Sequence, residues 1–180
     1  LKPRLEEAAG KVADESVFFG KGKYSKWPDG LVTQAIMAGN VVTATPDIYK
    51  DVFDENGLLA KVEEDGYFPD SILSGIPMRA KLRGLRDDSG RPMFLENMHQ
   101  GTQYTLAGMG MDFPRNGMWD STKALMVTGD WKQAVYAMRQ DVTFDIFKSG
   151  VISDENGKII YNLMQNDMKA LRMVLRFGWK

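Results

Sequence analysis

Residues 123–147 run KALMVTGDWKQAVYAMRQDVTFDIF. Leu125 and Val127 alternate with Ala124 and Met126, Gly129 and Asp130 mark a turn, and Val135 and Ala137 alternate with Ala134, Tyr136 and Met138. Beyond Arg139 and Gln140, Val142, Phe144 and Ile146 fall on one side, and Asp141, Thr143 and Asp145 on the other. Period-2 alternation predicts three consecutive strands with one buried and one wet face, the pattern of an antiparallel meander. A second run, residues 168–180 (MKALRMVLRFGWK), puts Leu171, Met173, Leu175, Phe177 and Trp179 on one face of a closing strand.

Bulk composition narrows the class. The 180 residues are enough for one or two small domains with a sizeable core. With 43% hydrophobic and 26% charged residues, the chain reads as globular rather than disordered. A net charge of −1 gives no basic excess to draw the whole chain onto nucleic acid or anionic lipid. There is no cysteine, which excludes disulfides and thiolate metal sites. No apolar run approaches the roughly 18 residues of a spanning helix, so no membrane partner is expected. The sequence begins with Leu1 and enters a helical pattern almost at once, which reads as a fragment of a longer chain.

Residues 3–19 predict an amphipathic helix, with Leu5, Ala8, Ala9, Val12, Ala13 and Val17 at helical spacing, ended by Gly20 and Gly22. The following GKGK lacks the glycine-to-lysine spacing of a phosphate-cradling loop, and no strand precedes it. Residues 31–43 read as weakly extended. Thr45 as N-cap and Pro46 at the first helical position predict a helix reaching Glu64, with Gly57 as its weak point. Tyr67 and Phe68 suggest a short strand, residues 76–85 a helix, residues 87–90 a turn, and Pro92, Met93 and Phe94 an extended exit. Residues 103–107 predict a strand, and Gly108 and Gly110 close backbone packing rather than a dinucleotide fingerprint. In DENG, residues 154–157, Asn156-Gly157 favours positive φ, with a short helical or extended segment, residues 158–164, after it.

Candidate chemistry is sparse. His99 has no triad-like neighbour, so a surface histidine is expected. Glu63, Glu64 and Asp65 read as a solvated face rather than a metal site, because no His or Cys ligand lies near. Most of the twelve methionines are expected in the core. Trp27, Trp119, Trp131 and Trp179 read as packing or interface anchors, not as a base-stacking platform, since Asp29, Asp120 and Asp130 sit beside them where basic residues would be needed. No catalytic, cofactor-binding or metal-binding residue is assigned.

Taken together, several segments resemble the tailed-bacteriophage major capsid proteins of the Hong-Kong-97 type, over their C-terminal two-thirds. Residues 13–30 (ADESVFFGKGKYSKWPDG) resemble the end of that family's long spine helix and its glycine-rich exit. Residues 82–94 (LRGLRDDSGRPMF), the step at Leu106-Ala107-Gly108, residues 128–139 (TGDWKQAVYAMR) and residues 165–177 (QNDMKALRMVLRF) follow in the family's order and spacing.

The resemblance implies an α+β fold. An axial part, residues 25–148, would be inserted in a peripheral part, residues 1–24 and 149–180, built on the spine helix and a small sheet. The three-strand stretch would be the axial central sheet. It also implies a structural, non-enzymatic protein whose copies form pentamers and hexamers of an icosahedral head around double-stranded DNA. Its partners would be itself, a scaffold segment, a maturation protease and a portal. Its location would be the virion, and the bacterial host cytoplasm during assembly. No sequence-specific nucleic-acid binding is implied. A bacterial encapsulin-like compartment shell shares the fold, and an α+β enzyme is the remaining alternative. Some family members cross-link through a Lys and an Asn helped by a Glu. Here Asn162 and Asn166 lie nearby, but Ala170 stands at the Glu position, so cross-linking is not expected.

Three expectations follow. The helix near residues 4–19 should pack its stripe of Leu5, Val12 and Val17 against the final strand. Gly129 should turn between strands with positive φ. The 180-residue chain should be a monomer or small oligomer in dilute solution.

Overall fold

The computed structural model describes residues 2–87, 89–97 and 103–180; His99 and Asp88 lie outside them. Helix α1, Lys2–Phe19, forms where the apolar spacing predicts it. It ends at Gly20, whose φ of +67° is the left-handed conformation open to glycine. The Gly20 N–H donates to Ser16 O at 3.1 Å. Ser16 is buried, and its hydroxyl lies 2.8 Å from the carbonyl oxygens of Val12 and Lys21. Gly30 then returns so close to the Phe19–Gly20 backbone that a side chain would not fit, which closes residues 20–30 into a loop.

Two helical expectations need correction. Residues 31–38 are not extended but form α2, Leu31–Ala38, ended by Gly39 at φ +80°. Val32, Ala35 and Ile36 fall at helical spacing, and burial of Val32 selects the helix. The single helix expected up to Glu64 is two, α3 (Ile48–Phe53) and α4 (Leu58–Glu64). Gly57 interrupts it, with an extended backbone and an N–H that donates to Asp54 O at 2.8 Å. The cap of α3 is Asp47, which accepts from Lys50 N, and not Thr45. Thr45 instead meets Asp51, which accepts from its N–H and its hydroxyl at 2.7 Å each.

The next elements build a five-stranded sheet. They are β1 (Ser71–Ser74), helix α5 (Met78–Leu82), β2 (Phe94–Asn97), β3 (Gln103–Leu106), β4 (Met109–Asp112) and β5 (Met126–Gly129), in the order β2-β3-β4-β1-β5. β1 runs parallel to β4, and every other pair is antiparallel. No strand forms at Tyr67-Phe68. The strand starts at Ser71, where Ile72 and Ser74 are fully buried while Phe68 is 82% exposed. The helix expected over residues 76–85 shortens to α5, with Leu82 buried. Leu106 pairs with Met109 across a two-residue turn in which Ala107 and Gly108 both have positive φ, 49° and 90°. That is a type I′ hairpin turn. It corrects the close-packing reading of Gly108, whose Cβ position is open space.

One core holds this sheet, formed by Val52, Ile72, Met78, Leu82, Phe94, Tyr104, Leu106, Met111 and Phe113. Phe113 stands edge-on to Phe94 and Tyr104 at centroid distances of 6.2 and 5.1 Å. A second, smaller cluster joins Phe19, Val32 and Met118, with Trp119 edge-on to Phe19 at 5.7 Å. The Trp131 indole N–H donates to Ser71 O at 3.1 Å, so Trp119 and Trp131 act as packing anchors.

Residues 123–147 are not three strands of one sheet. After β5, Asp130 accepts from Lys132 N and caps a 3-10 turn, Trp131–Gln133. One long strand then follows, β6, Tyr136–Phe147. Arg139 and Gln140 carry no turn chemistry, so the strand continues through register shifts there instead of reversing. Among the described residues β6 pairs only with β9, Ala170–Trp179, and β5 is an edge of the five-stranded sheet rather than its centre. Gly129 pairs with Ser71 and is not among the positive-φ glycines, which removes that expectation. Between β6 and β9 lies the hairpin of β7 (Val151–Ser153) and β8 (Ile159–Asn162).

By contacts the chain divides into a ribbon unit, Leu1–Glu6 with Tyr136–Trp179, and a sheet unit, Glu7–Val135 with Lys180. Of the helical stripe expected to pack on the final strand, Val12 is 56% exposed. The Phe19 end of α1 is buried in the sheet unit, and β9 takes β6 as its partner. Only the first residues of α1 belong to the ribbon unit, where the Lys2 ammonium lies 5.2 Å from the Phe144 ring centroid.

Candidate assembly surfaces

Within the ribbon, the alternation read from the sequence sets the faces. Ile146 pairs with Leu171 and Phe144 with Met173, while Asp145 pairs with Arg172 and Thr143 with Val174 on the other face. The Arg172 guanidinium bonds Asp145 at 2.9 Å and lies 5.0 Å from the Phe147 ring centroid. On the apolar face Ile146 is 63% exposed, while Phe144, Leu171 and Met173 are half-buried.

The β7–β8 hairpin is shaped at its tip by Asp154, whose carboxylate accepts from Asn156 N and Lys158 N at 3.0 and 2.8 Å. Gly157 takes φ +80°, as the DENG turn predicts. Along its strands Val151, Ile152, Ile159, Ile160 and Tyr161 are all exposed, Ile159 at 57%. Consecutive apolar pairs flank the turn, so both faces of this hairpin are apolar. Sequence reading missed this surface; the signal was Val151-Ile152 and Ile159-Ile160, where a half-buried strand would alternate. Among the described residues, Leu163 is the single buried apolar side chain of the ribbon unit. A two-stranded ribbon is marginal alone, and exposed apolar surface of this kind marks an interaction face.

Among the described residues, one carboxyl and one amine group titrate away from their usual range. Hydrogen bonds from the Thr122 hydroxyl and N–H hold the Asp120 carboxyl below the usual range. Asp70, at 3.0 Å, raises Lys132. Both serve surface turns and pairings. Glu64 pairs with Lys61, and Asp65 accepts from Asn40. Among the described residues no cluster of three or more acids or histidines could hold a metal ion. Asn162 accepts from Gln165 N in the turn before β9, and Ala170 opens that strand. No helix among the described residues is long and apolar enough to cross a membrane.

A family model described as the phage capsid family matches residues 1–180. The chain belongs to the phage capsid family. Solved structures agree with this capsid chain in fold. One from Microbacterium phage Oxtober96 superposes with a TM-score of 0.78 at 29% identity, covering 99% of the capsid chain and 57% of its own. One from Mycobacterium phage Adephagia gives 0.72 at 28%, covering 96% and 55%. One from Mycobacterium phage Cain gives 0.69 at 30%, with the same coverage. The capsid chain therefore spans a little over half the length of these structures. No curated protein matches. The expected α+β fold of the Hong-Kong-97 type is thereby met, and the compartment-shell and enzyme alternatives are not favoured.

Proposed function

We propose that this capsid chain is the structural subunit of a phage or prophage head, building pentamers and hexamers of an icosahedral shell around double-stranded DNA. The observation that carries it is the β7–β8 hairpin, where Val151, Ile152, Ile159, Ile160 and Tyr161 are all exposed in a unit whose one buried apolar side chain described is Leu163. Neighbouring copies supply the cover that this unit lacks. Such contacts join different patches of successive subunits and close by rotation. In the shell, residues 1–24 and 149–180 form the peripheral part and residues 25–148 the axial part. These parts are defined by place in a ring rather than by compactness, so they do not coincide with the two compact units. A scaffold segment, a maturation protease and a portal are the further partners, and the protein itself catalyses nothing. Assembly takes place in the bacterial cytoplasm and ends in the virion. The test is electron microscopy of the complete reading frame containing these residues, expressed alone. Closed shells or shell fragments are expected, and dispersed monomers would overturn the reading.

A further inference from the structure

Patches of opposite charge stand on the two edges of the five-stranded sheet, β2 and β5. Phe94 pairs with Leu106, Leu106 with Met109, and Ser71 with both Gly110 and Gly129. Phe94 and Gly129 therefore lie at the same end of the sheet, on its opposite edges. Four strand spacings of roughly 4.8 Å, about 19 Å in all, separate them.

The β5 edge is flanked by the end of α4. Asp65 and Tyr67 line a small cavity together with Gly129 and Asp130, and the Asp70 N–H donates to Gly129 O at 3.1 Å. Residues 63–70 hold four acidic side chains and no basic one. Lys61 answers Glu64, Lys132 answers Asp70, and Asn40 bonds Asp65, which leaves this edge negative. Tyr67 and Phe68 stand among these acids and are exposed. Large aromatic rings held in water mark a surface to be covered, where the acids alone would read as a solvated face.

The β2 edge is basic. Residues 81–91 hold four basic side chains against Asp87 and Asp88, and Lys81, Arg83, Arg86 and Arg91 are all exposed. Arg86 bridges Pro92, two residues ahead of β2, and its guanidinium donates to the carbonyls of Arg83 and Leu85 at 2.7 and 2.9 Å. Asp87 accepts from Arg91 N at 2.7 Å and donates its own N–H to Arg91 O at 2.9 Å. This turn holds Arg86 and Arg91 in place beside Leu95, which is exposed on β2.

We infer that the two edges meet in a head-to-tail contact between copies of this chain, the acidic, aromatic edge of one docking on the arginine edge of the next. Opposite potentials steer the encounter and fix its register. Guanidinium groups also lie over aromatic rings, so Tyr67 and Phe68 answer Arg86 and Arg91 twice over. Duplex DNA would satisfy the arginines but leave the acids and Phe68 uncovered. A contact between different patches repeats from copy to copy, and closes where the rotation closes. The inference deepens the proposed function and rests on it for ring closure, whereas the pairing of the edges is a property of the chain alone.

The test uses the full 180-residue chain in sedimentation velocity at rising concentration. Weak association is expected, and it should fall as salt rises from about 0.05 to 0.5 M. Replacing Glu63, Glu64 and Asp65 by lysine makes both edges positive, at a helix C-terminus where cations are tolerated. Arg86→Glu with Arg91→Glu makes both edges negative. Each variant alone should associate about tenfold or more weakly than the native chain, and an equimolar mixture should recover native association. Misfolding cannot produce that recovery. Phe68→Ala should also weaken association, with an unchanged melting temperature. No association up to about 1 mM, or a mixture no better than its parts, would overturn the inference. So would duplex DNA that binds through Arg86 and Arg91 while the copies stay apart. In the complete reading frame, particles that form equally well with either set of reversals would overturn this contact and leave the shell standing. A native frame that forms no particles, beside association of the 180-residue chain with recovery in the mixture, would overturn the shell and leave this contact standing.

Discussion

Gly30 and Gly129 separate two reasons for a glycine. At Gly30 a Cβ would sit 2.7 Å from the Phe19 carbonyl carbon and against the Gly20 N, all rigid backbone. At Gly129 it would meet nothing within 4 Å, and φ is not positive. Gly30→Ala should therefore cost about 1–3 kcal/mol through forced backbone movement, whereas Gly129→Ala should stay within about 0.5 kcal/mol. Urea denaturation of the two variants checks both, and equal losses would contradict the distinction. Asp120 gives a pH dependence. Its folded pKa is lowered by hydrogen bonds from Thr122, so its stabilisation is complete above the ordinary aspartate value of about 3.9 and is lost as pH falls through the folded value. Denaturation midpoints of the protein and of Asp120→Asn should differ at pH 6 and converge in strong acid. A gap that widens in acid would reverse the sign of this account.

At the scale of elements, the β7–β8 hairpin carries the sharpest prediction. Ile159 and Ile160 are more than half exposed, so replacing them removes little packing. Ile159→Asp with Ile160→Asp should leave the circular dichroism and melting temperature of the soluble protein nearly unchanged, within about 0.5 kcal/mol per site. The same pair should abolish particle formation by the complete reading frame, because a charge placed at a buried subunit contact is left unpaired. Particles that still assemble would remove the hairpin from the assembly surface.

Across the whole molecule, stability should be uneven. The sheet unit holds the nine-residue cluster around Ile72 and Leu82, while the ribbon unit buries Leu163. Hydrogen exchange should find the amides of β1 and β4 protected longest, with those of β6 and β9 exchanging earlier by opening of the ribbon alone. A common opening free energy for both would show one cooperative body instead. Association is limited by the same economy of surface. The exposed apolar side chains lie on narrow elements, and association costs an estimated 4–15 kcal/mol of rigid-body freedom before affinity appears. The 180-residue chain at micromolar concentration should therefore scatter light as a monomer or small oligomer. A megadalton particle would contradict this.

Periodicity determined α1 and the alternating faces of β6 and β9, and turn chemistry the Gly157 turn, because each depends on residues near one another in the chain. The order and spacing of motifs from residue 13 to residue 177 carried the family. Strand partners were beyond its reach. Alternation in residues 123–147 tells which side chains share a face, but a pleat looks the same whichever strand lies beside it. Only the packed chain sends β5 to β1 and β6 to β9. Residues 31–38 were ambiguous for a related reason: short apolar runs suit helix or strand, and the place available for Val32 beside Phe19 and Met118 selects the helix. The proposed assembly surface lay furthest from the sequence signal. Val151, Ile152, Ile159 and Ile160 look like core residues, and only a fold that leaves them exposed identifies them as a surface to be covered.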